Sequence, residues 1–441
     1  MLNNILLMTD SYKVSHWKQY PMGTKAVQSF LEARPGGEFP EVTFFGLSYI
    51  IQRYLAGPVV TRKKIEEAAS FFKAHFGSED LFNRAGWEVI LNELGGNLPI
   101  QINAVLEGTT WPEGTVLMTI RNTDDRFAWL VNYVETILMQ VWYPTTVATQ
   151  SREMKKDITA ALWQTGDPAG INFKLHDFGY RGSTSVESAG IGGCAHLVNF
   201  MGTDTMAALE VARAYYDEPM AGFSIPASEH STITAWGKAN EVDAFENMLD
   251  SYPTGLVACV SDSYDIFHAA RVLWGDTLRE KILSRDGTLV IRPDSGDPTI
   301  VLPQLLNILG DRFGFTVNEK GYKVLPPQVR VIQGDGIDRS MLKRILDTLI
   351  VYGWSIDNLA FGSGGGLLQK VNRDTSRFAI KACAIRIGNS DWVPVWKAPV
   401  TDSAKNSKRG WQSPPFLEMA FRNGVQYNRP TLALVRERAA L

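Results

Sequence analysis

Between about Asn172 and Gly366 the chain repeats one pattern seven times: a short apolar or extended run ends in a polar cluster, and a helix-length amphipathic segment follows. The run ends read FKLHDFGYRG, LVNFMGTD, FSIPASEHS, LVACVSDSYD, LVIRPDSGD, VRVIQGDGID and LAFGSGGG. A strand–helix rhythm of this kind closes into a (β/α) barrel, whose strand C-termini converge on one mouth. Asp177, Arg181, Asp204, His230, Asp262, Arg292, Asp294, Asp335 and Gly364 to Gly366 are thereby expected in a single ring. Ser, Asp and Gly also favour turns and helix caps, so any one cluster reads as well as a cap. Seven in succession, with Arg181 and Arg292 among their ends, favour a site.

The flanks follow a different rule. Up to about Gly166 helical FFGLSYIIQRYLAG mixes with extended LPIQINAVLEG and TVLMTIRNT, and a long amphipathic stretch runs from Trp129 to Trp163, where Pro144 is expected to break or kink a helix. After Arg373 the chain is extended again in RFAIKACAIRIG and DWVPVWKAPV, then basic in DSAKNSKRGW. A length of 441 residues exceeds the limit of roughly 250–300 for one core. The expected organisation is an α/β barrel-like domain over 167–370 and a second, α+β domain formed from both chain ends, 1–166 and 371–441.

Charge excludes some partners. With 44 basic against 47 acidic residues, no global field draws the chain to nucleic acid or an anionic membrane, so any anion must be caught locally. Arg181 and Arg292, just past apolar runs, need an anionic partner, either a protein carboxylate or a phosphate. The GSGGG turn offers backbone N–H groups to phosphate, although it matches neither GxGxxG nor the P-loop, and a flexible turn is the alternative. Cys194, Cys259 and Cys383 are odd in number and lack CxxC spacing, which argues against disulfides and zinc and fits a reducing cytoplasm. The N-terminal MLNNILLMTDSYK is too short in apolar residues for a signal core, and no run approaches the roughly 20 of a membrane span. No HExxH or defensible Ser/His/Asp order is present, and Lys174, inside its strand, argues against Schiff-base chemistry. His230 stands where a helix begins. There the dipole disfavours imidazolium, and a neutral ring is a nucleophile toward phosphoryl groups; a capping or core histidine held by Ser228 or Glu229 is the alternative.

The segments TDSYKVSHWKQYP (Thr9 to Pro21), KLHDFGYRG, NFMGTDT, PASEHSTITAWG, VSDSYDI, IRPDSG, VIQGDG and FGSGGGLLQK resemble the nicotinamide phosphoribosyltransferase family in order and spacing, over about residues 4 to 410. The resemblance implies a type II phosphoribosyltransferase: an irregular (β/α) barrel-like domain, a second domain from both chain ends, and a homodimer with shared active sites. It implies synthesis of nicotinamide mononucleotide and diphosphate from nicotinamide and 5-phosphoribosyl 1-diphosphate, with Mg2+ accompanying the diphosphate or ATP. ATP is the implied co-substrate that phosphorylates His230, and Asp262 orients the imidazole. No protein metal site, nucleic acid or membrane is implied.

By the same resemblance Arg181, His230 and Arg292 face the diphosphate. Asp294, Gly334, Asp335, Gly364, Gly365 and Arg373 hold the ribose and phosphate. Asp204 accepts a hydrogen bond from the carboxamide and repels nicotinate. Phe178 and the partner subunit's Tyr12 sandwich the pyridine ring. Lys381, Lys397 and Lys405, with Arg34, stand at the site entrance. The rival on the same fold is nicotinate or quinolinate phosphoribosyltransferase, against which Asp204 argues. A type I phosphoribosyltransferase needs paired acids after an apolar strand, and Asp124–Asp125 lacks that context. A phosphosugar aldolase or isomerase needs a lysine or base at the mouth. A non-catalytic nucleotide-binding module is disfavoured by the intact set Asp204, His230, Arg292, Asp294 and Asp335.

Overall fold

The computed structural model describes residues 3–402 and 405–440. They divide into two compact units: one runs to Thr149, takes in Ala212–Glu218 and resumes at Val371; the other is Gln150–Val211 with Pro219–Lys370. The first crossing thus falls at Thr149 rather than near 166, because the helix Trp142–Thr165 runs through it without a break. Pro144 lies in that helix's first turn, where its missing N–H has no intrahelical partner to lose. The interruption expected of it falls just upstream, between the short helices Leu130–Tyr133 and Glu135–Met139 and the start at Trp142.

In the first unit both chain ends share one antiparallel sheet. Thr24–Ala33 lies between Phe378–Ile387 and Val116–Asn122, and Ile100–Ala104 and Glu418–Arg422 extend it. The heptapeptide Ala212–Glu218 belongs here through its aromatics. Tyr216 stacks on Phe45 with centroids 4.9 Å apart, and Tyr215 meets Tyr49 edge-on at 4.6 Å.

The second unit is built on six parallel strands: β1 Leu175–Asp177, β2 Gly202–Thr203, β3 Thr254–Val260, β4 Asp286–Arg292, β5 Val329–Gln333 and β6 Leu359–Ser363. Their order is β2-β1-β6-β5-β4-β3. Parallel strands covered on both faces need continuous apolar sequence, and Val257 to Val260 and Leu289 to Ile291 are buried without alternation. The seventh run end supplies the closure. Phe223 N donates to Met201 O (2.7 Å) and Thr203 N to Phe223 O (3.1 Å), beside β2. On the other side Ala258 N donates to Pro226 O (2.9 Å) and Ser228 N to Ala258 O (3.0 Å). The expected seven-membered barrel therefore forms, with Phe223–Ser228 joining the sheet edges through isolated bridges rather than a regular ladder. Ala258, Val290 and Ile332 form a buried interior cluster, with Phe178, Ile225 and Ala360 packed against it. Among the described residues no helix is long and apolar enough to cross a membrane.

Candidate active site

The structure sorts the acids at the strand ends into two kinds. Asp265, Asp297 and Asp338 are caps: their carboxylates accept from Phe267 N and His268 N, from Thr299 N, and from Met341 N. Asp177 makes a turn, its Oδ1 accepting from Gly179 N at 2.7 Å. Asp204 serves the Ser224 side chain, and Asp262 and Asp294 serve other side chains and are joined to each other.

Asp262, two residues past β3, is the hub. Its Oδ1 lies 3.0 Å from His230 Nε2, and its Oδ2 accepts from Asp294 N at 3.0 Å and from Ser295 Oγ at 2.5 Å. A carboxylate acceptor requires Nε2 to be the protonated nitrogen, so the lone pair of the neutral ring is on Nδ1. Nδ1 is 3.8 Å from Asp294 Oδ2, which also lies 3.3 Å from Arg292 Nη2. Arg292 is partly buried at the end of β4, and its Nε has no partner in the structure. The helix that starts at His230 ends at Thr234. The ring is thus flanked by the carboxylates of Asp262 and Asp294, and the helix behind it is only five residues long.

Opposite in chemistry is the rim at β1 and β2. Phe178 follows β1, its N–H donating to Ser363 O at 3.0 Å, and its ring lies across β6: a Cβ on Gly362 would fall 2.0 Å from Phe178 Cε2. Only a glycine leaves room for the ring there. Asp204, just past β2, is exposed; its N–H donates to Asp177 O at 2.9 Å and its Oδ1 accepts from Ser224 Oγ at 2.5 Å. Burial lowers His176 below the usual histidine range, with Asp204 acting in the opposite sense. Burial likewise pushes Asp177 up to about 6, against the hydrogen bond from Gly179 N.

Gly334 and Asp335 follow β5, with Asp335 exposed, and Gly364 and Gly365 follow β6 at the start of the turn Gly365–Leu368. A Cβ on Gly366 would lie 2.3 Å from Ile337 O, so the loops after β5 and β6 pack backbone to backbone. Arg181 is exposed on the turn Tyr180–Gly182. A Cβ on Gly182 would reach within 3.9 Å of Gly365 Cα, so the arginine turn borders the glycine loop.

The other expected residues belong to the first unit. Arg34, Arg373, Lys381 and Lys397 gather there: burial chiefly lowers the Lys381 ammonium, Glu135 opposes, and the three neighbouring cations lower it further. Lys405 pairs with Asp402 at 3.1 Å. Tyr12 is exposed, with His16 edge-on at 5.1 Å. Lys174 is structural. Its Nζ donates to Ile356 O, Asp357 O and Leu359 O, and burial lowers it to about 8. All three cysteines are buried thiols outside any disulfide. Among the described residues no group of three or more His, Cys, Asp or Glu is placed to hold a metal.

Ser224 and Ser295 are absent from the residues singled out in the sequence, and Gly362 enters there only as the first glycine of the GSGGG turn. Ser295 and Gly362 sit inside the run ends IRPDSG and FGSGGG and were open to notice. Ser224 shows only once the bridge Gly202–Phe223 fixes where FSIPASEHS runs.

Comparison with known proteins adds to this geometry. Residues 173–431 match the nicotinate phosphoribosyltransferase (NAPRTase) family, and residues 4–102 match the nicotinamide phosphoribosyltransferase N-terminal domain. A nicotinamide phosphoribosyltransferase of Xanthomonas campestris pv. campestris (strain 8004) is 53% identical over 413 residues, 93% of this chain and 87% of that one. One from Acinetobacter baylyi is 32% identical, covering 92% and 87%. In fold the chain is similar to nicotinate-nucleotide pyrophosphorylase from Pyrococcus furiosus, with a TM-score of 0.57, 16% identity and coverage of 100% and 96%. It is similar also to human nicotinic acid phosphoribosyltransferase, with a TM-score of 0.56, 16% identity and coverage of 98% and 93%.

Proposed function

The chain belongs to the nicotinamide phosphoribosyltransferase family, and from that premise we propose that it makes nicotinamide mononucleotide and diphosphate from nicotinamide and 5-phosphoribosyl 1-diphosphate, in NAD salvage. It is a pentosyltransferase. The observation that carries the choice of substrate is Asp204, an exposed carboxylate pinned at the end of β2 on the rim that also presents His230, Arg292 and Asp294. A carboxamide NH2 donates to such a group, whereas the carboxylate of nicotinate is repelled by it.

In the reaction the pyridine nitrogen attacks the anomeric carbon, the bond to diphosphate breaks, and its electron pair leaves on the diphosphate oxygen. That nitrogen is unprotonated near neutral pH, so no general base is needed. Positive charge develops on the ribose, beside Asp294 and Asp335, while Arg292 and Arg181 meet the departing anion. The unpartnered Arg292 Nε is a donor in want of such an acceptor. Phe178, and the partner subunit's Tyr12, hold the ring by stacking.

Mg2+ fits this site as an ion carried on phosphate oxygens, since Asp262 already accepts from three donors and Asp294 is the carboxylate left to meet it. Bound there it would neutralise charge on the leaving group. ATP is the co-substrate for His230: Nδ1 attacks the γ-phosphorus and the bond to ADP breaks, with Nε2–H held by Asp262. The basic cluster of the first unit, Arg34, Arg373, Lys381 and Lys397, with Lys405 and Tyr12, serves the site of a second copy in a homodimer. Three buried thiols outside any disulfide fit a cytoplasmic location.

The test is competition for turnover with 5-phosphoribosyl 1-diphosphate and Mg2+. Nicotinamide is expected to be used in strong preference to nicotinate; equal or greater use of nicotinate overturns the reading in favour of the nicotinate enzyme.

A further inference from the structure

Asp204 is exposed, yet its carboxylate is not free to turn. The 2.5 Å bond from Ser224 Oγ to Oδ1 lies in the range of charge-assisted hydroxyl–carboxylate bonds. The serine is itself held from both sides. Phe223, before it, exchanges hydrogen bonds with Met201 and Thr203, and Pro226, after it, accepts from Ala258 N. The hydroxyl is therefore placed by the backbone that closes the barrel. With Oδ1 engaged, Oδ2 is the oxygen left to meet a substrate.

We propose that Ser224 is a specificity-determining residue, fixing the Asp204 carboxylate so that one defined oxygen meets the substrate carboxamide. The inference rests on the nicotinamide reading above. A serine hydroxyl has a single proton to give. While Asp204 takes it, an incoming acid meets a carboxylate and no donor. With Asp204 replaced by alanine, the same proton is released to an acid's oxygen. Ser224 thus works for the amide in the native chain and for the acid in the Asp204→Ala chain, a reversal that a serine needed only for folding would not produce.

The experiment compares the native full-length chain, Ser224→Ala, Ser224→Thr, Asp204→Ala and the double variant Asp204→Ala/Ser224→Ala, measuring kcat and KM for nicotinamide and nicotinate separately. Ser224→Ala is expected to raise the nicotinamide KM about tenfold, more than it lowers kcat, and Ser224→Thr to restore it. Asp204→Ala is expected to gain nicotinate turnover, and the double variant to lose most of that gain. If the double variant keeps the full gain, or Ser224→Ala discriminates as the native chain does, the role of Ser224 is overturned while that of Asp204 stands. If Asp204→Ala gains no nicotinate turnover, the reading of Asp204 fails first and the inference falls with it.

Discussion

Asp177 and Asp204 are linked by one backbone hydrogen bond, yet they live in opposite surroundings. Asp204 is open to solvent, whereas Asp177 is fully buried and burial moves it from 3.8 to about 6. The folded chain therefore binds that proton more tightly than the unfolded chain. The stabilisation is complete below the unfolded value and is lost as pH rises through the folded one, roughly 3 kcal/mol in all. Asp177→Asn keeps an acceptor for Gly179 N and removes the titration. Urea unfolding at about pH 4 and about pH 6.5 should show a smaller loss of stability for the variant than for the native chain; equal losses would refute the assignment. His230 is tested through its own chemistry. His230→Ala should abolish stimulation of synthesis by ATP and leave part of the basal rate, and persistent stimulation would remove the phosphohistidine from the mechanism.

At the scale of elements, the site depends on how strand ends are brought into register. Gly362 sits opposite His176 in the β1–β6 pair, which brings its Cα under the Phe178 ring. Gly362→Ala must displace that ring. We expect about 1–3 kcal/mol of lost stability and a rise in nicotinamide KM of about tenfold or more, read from urea unfolding and steady-state kinetics. Closure of the barrel has its own buried support, since Ser228 Oγ accepts from Val260 N at 2.9 Å. Ser228→Ala leaves that N–H unpaired and should lower stability by about 1–3 kcal/mol by the same unfolding assay. Much of this was legible in the sequence. Seven apolar runs ending in Asp, Arg, His and Gly locate the strand ends, because parallel strands need continuous apolar sequence and their tips must be polar. The Gly362 notch and the Ser224–Asp204 bond were not, because each depends on which residue of one strand lies beside which residue of another. The boundary at Thr149 was hidden for a similar reason: a continuous helix crosses it, and amphipathic periodicity does not change at that point.

For the molecule as a whole, the expected residues fall in two groups: the barrel rim of the second unit, and Tyr12 with the basic cluster of the first. If each site of a homodimer takes its second group from the other copy, two defective chains can complement. Tyr12→Ala and Asp294→Ala chains, each impaired alone, should on unfolding and refolding together recover roughly a quarter of native activity, from mixed dimers with one intact site. Activity equal to the mean of the two parents would show that each chain uses its own residues. The strip Phe223–Ser228 leads to the last consequence. It fastens the two sheet edges, bears Ser224, and is followed two positions later by His230. On the proposed reading, substrate choice and energy coupling are thus mounted on a common stave. Loosening that stave by heat or denaturant should blunt amide selectivity and the response to ATP in step, before the other staves give way.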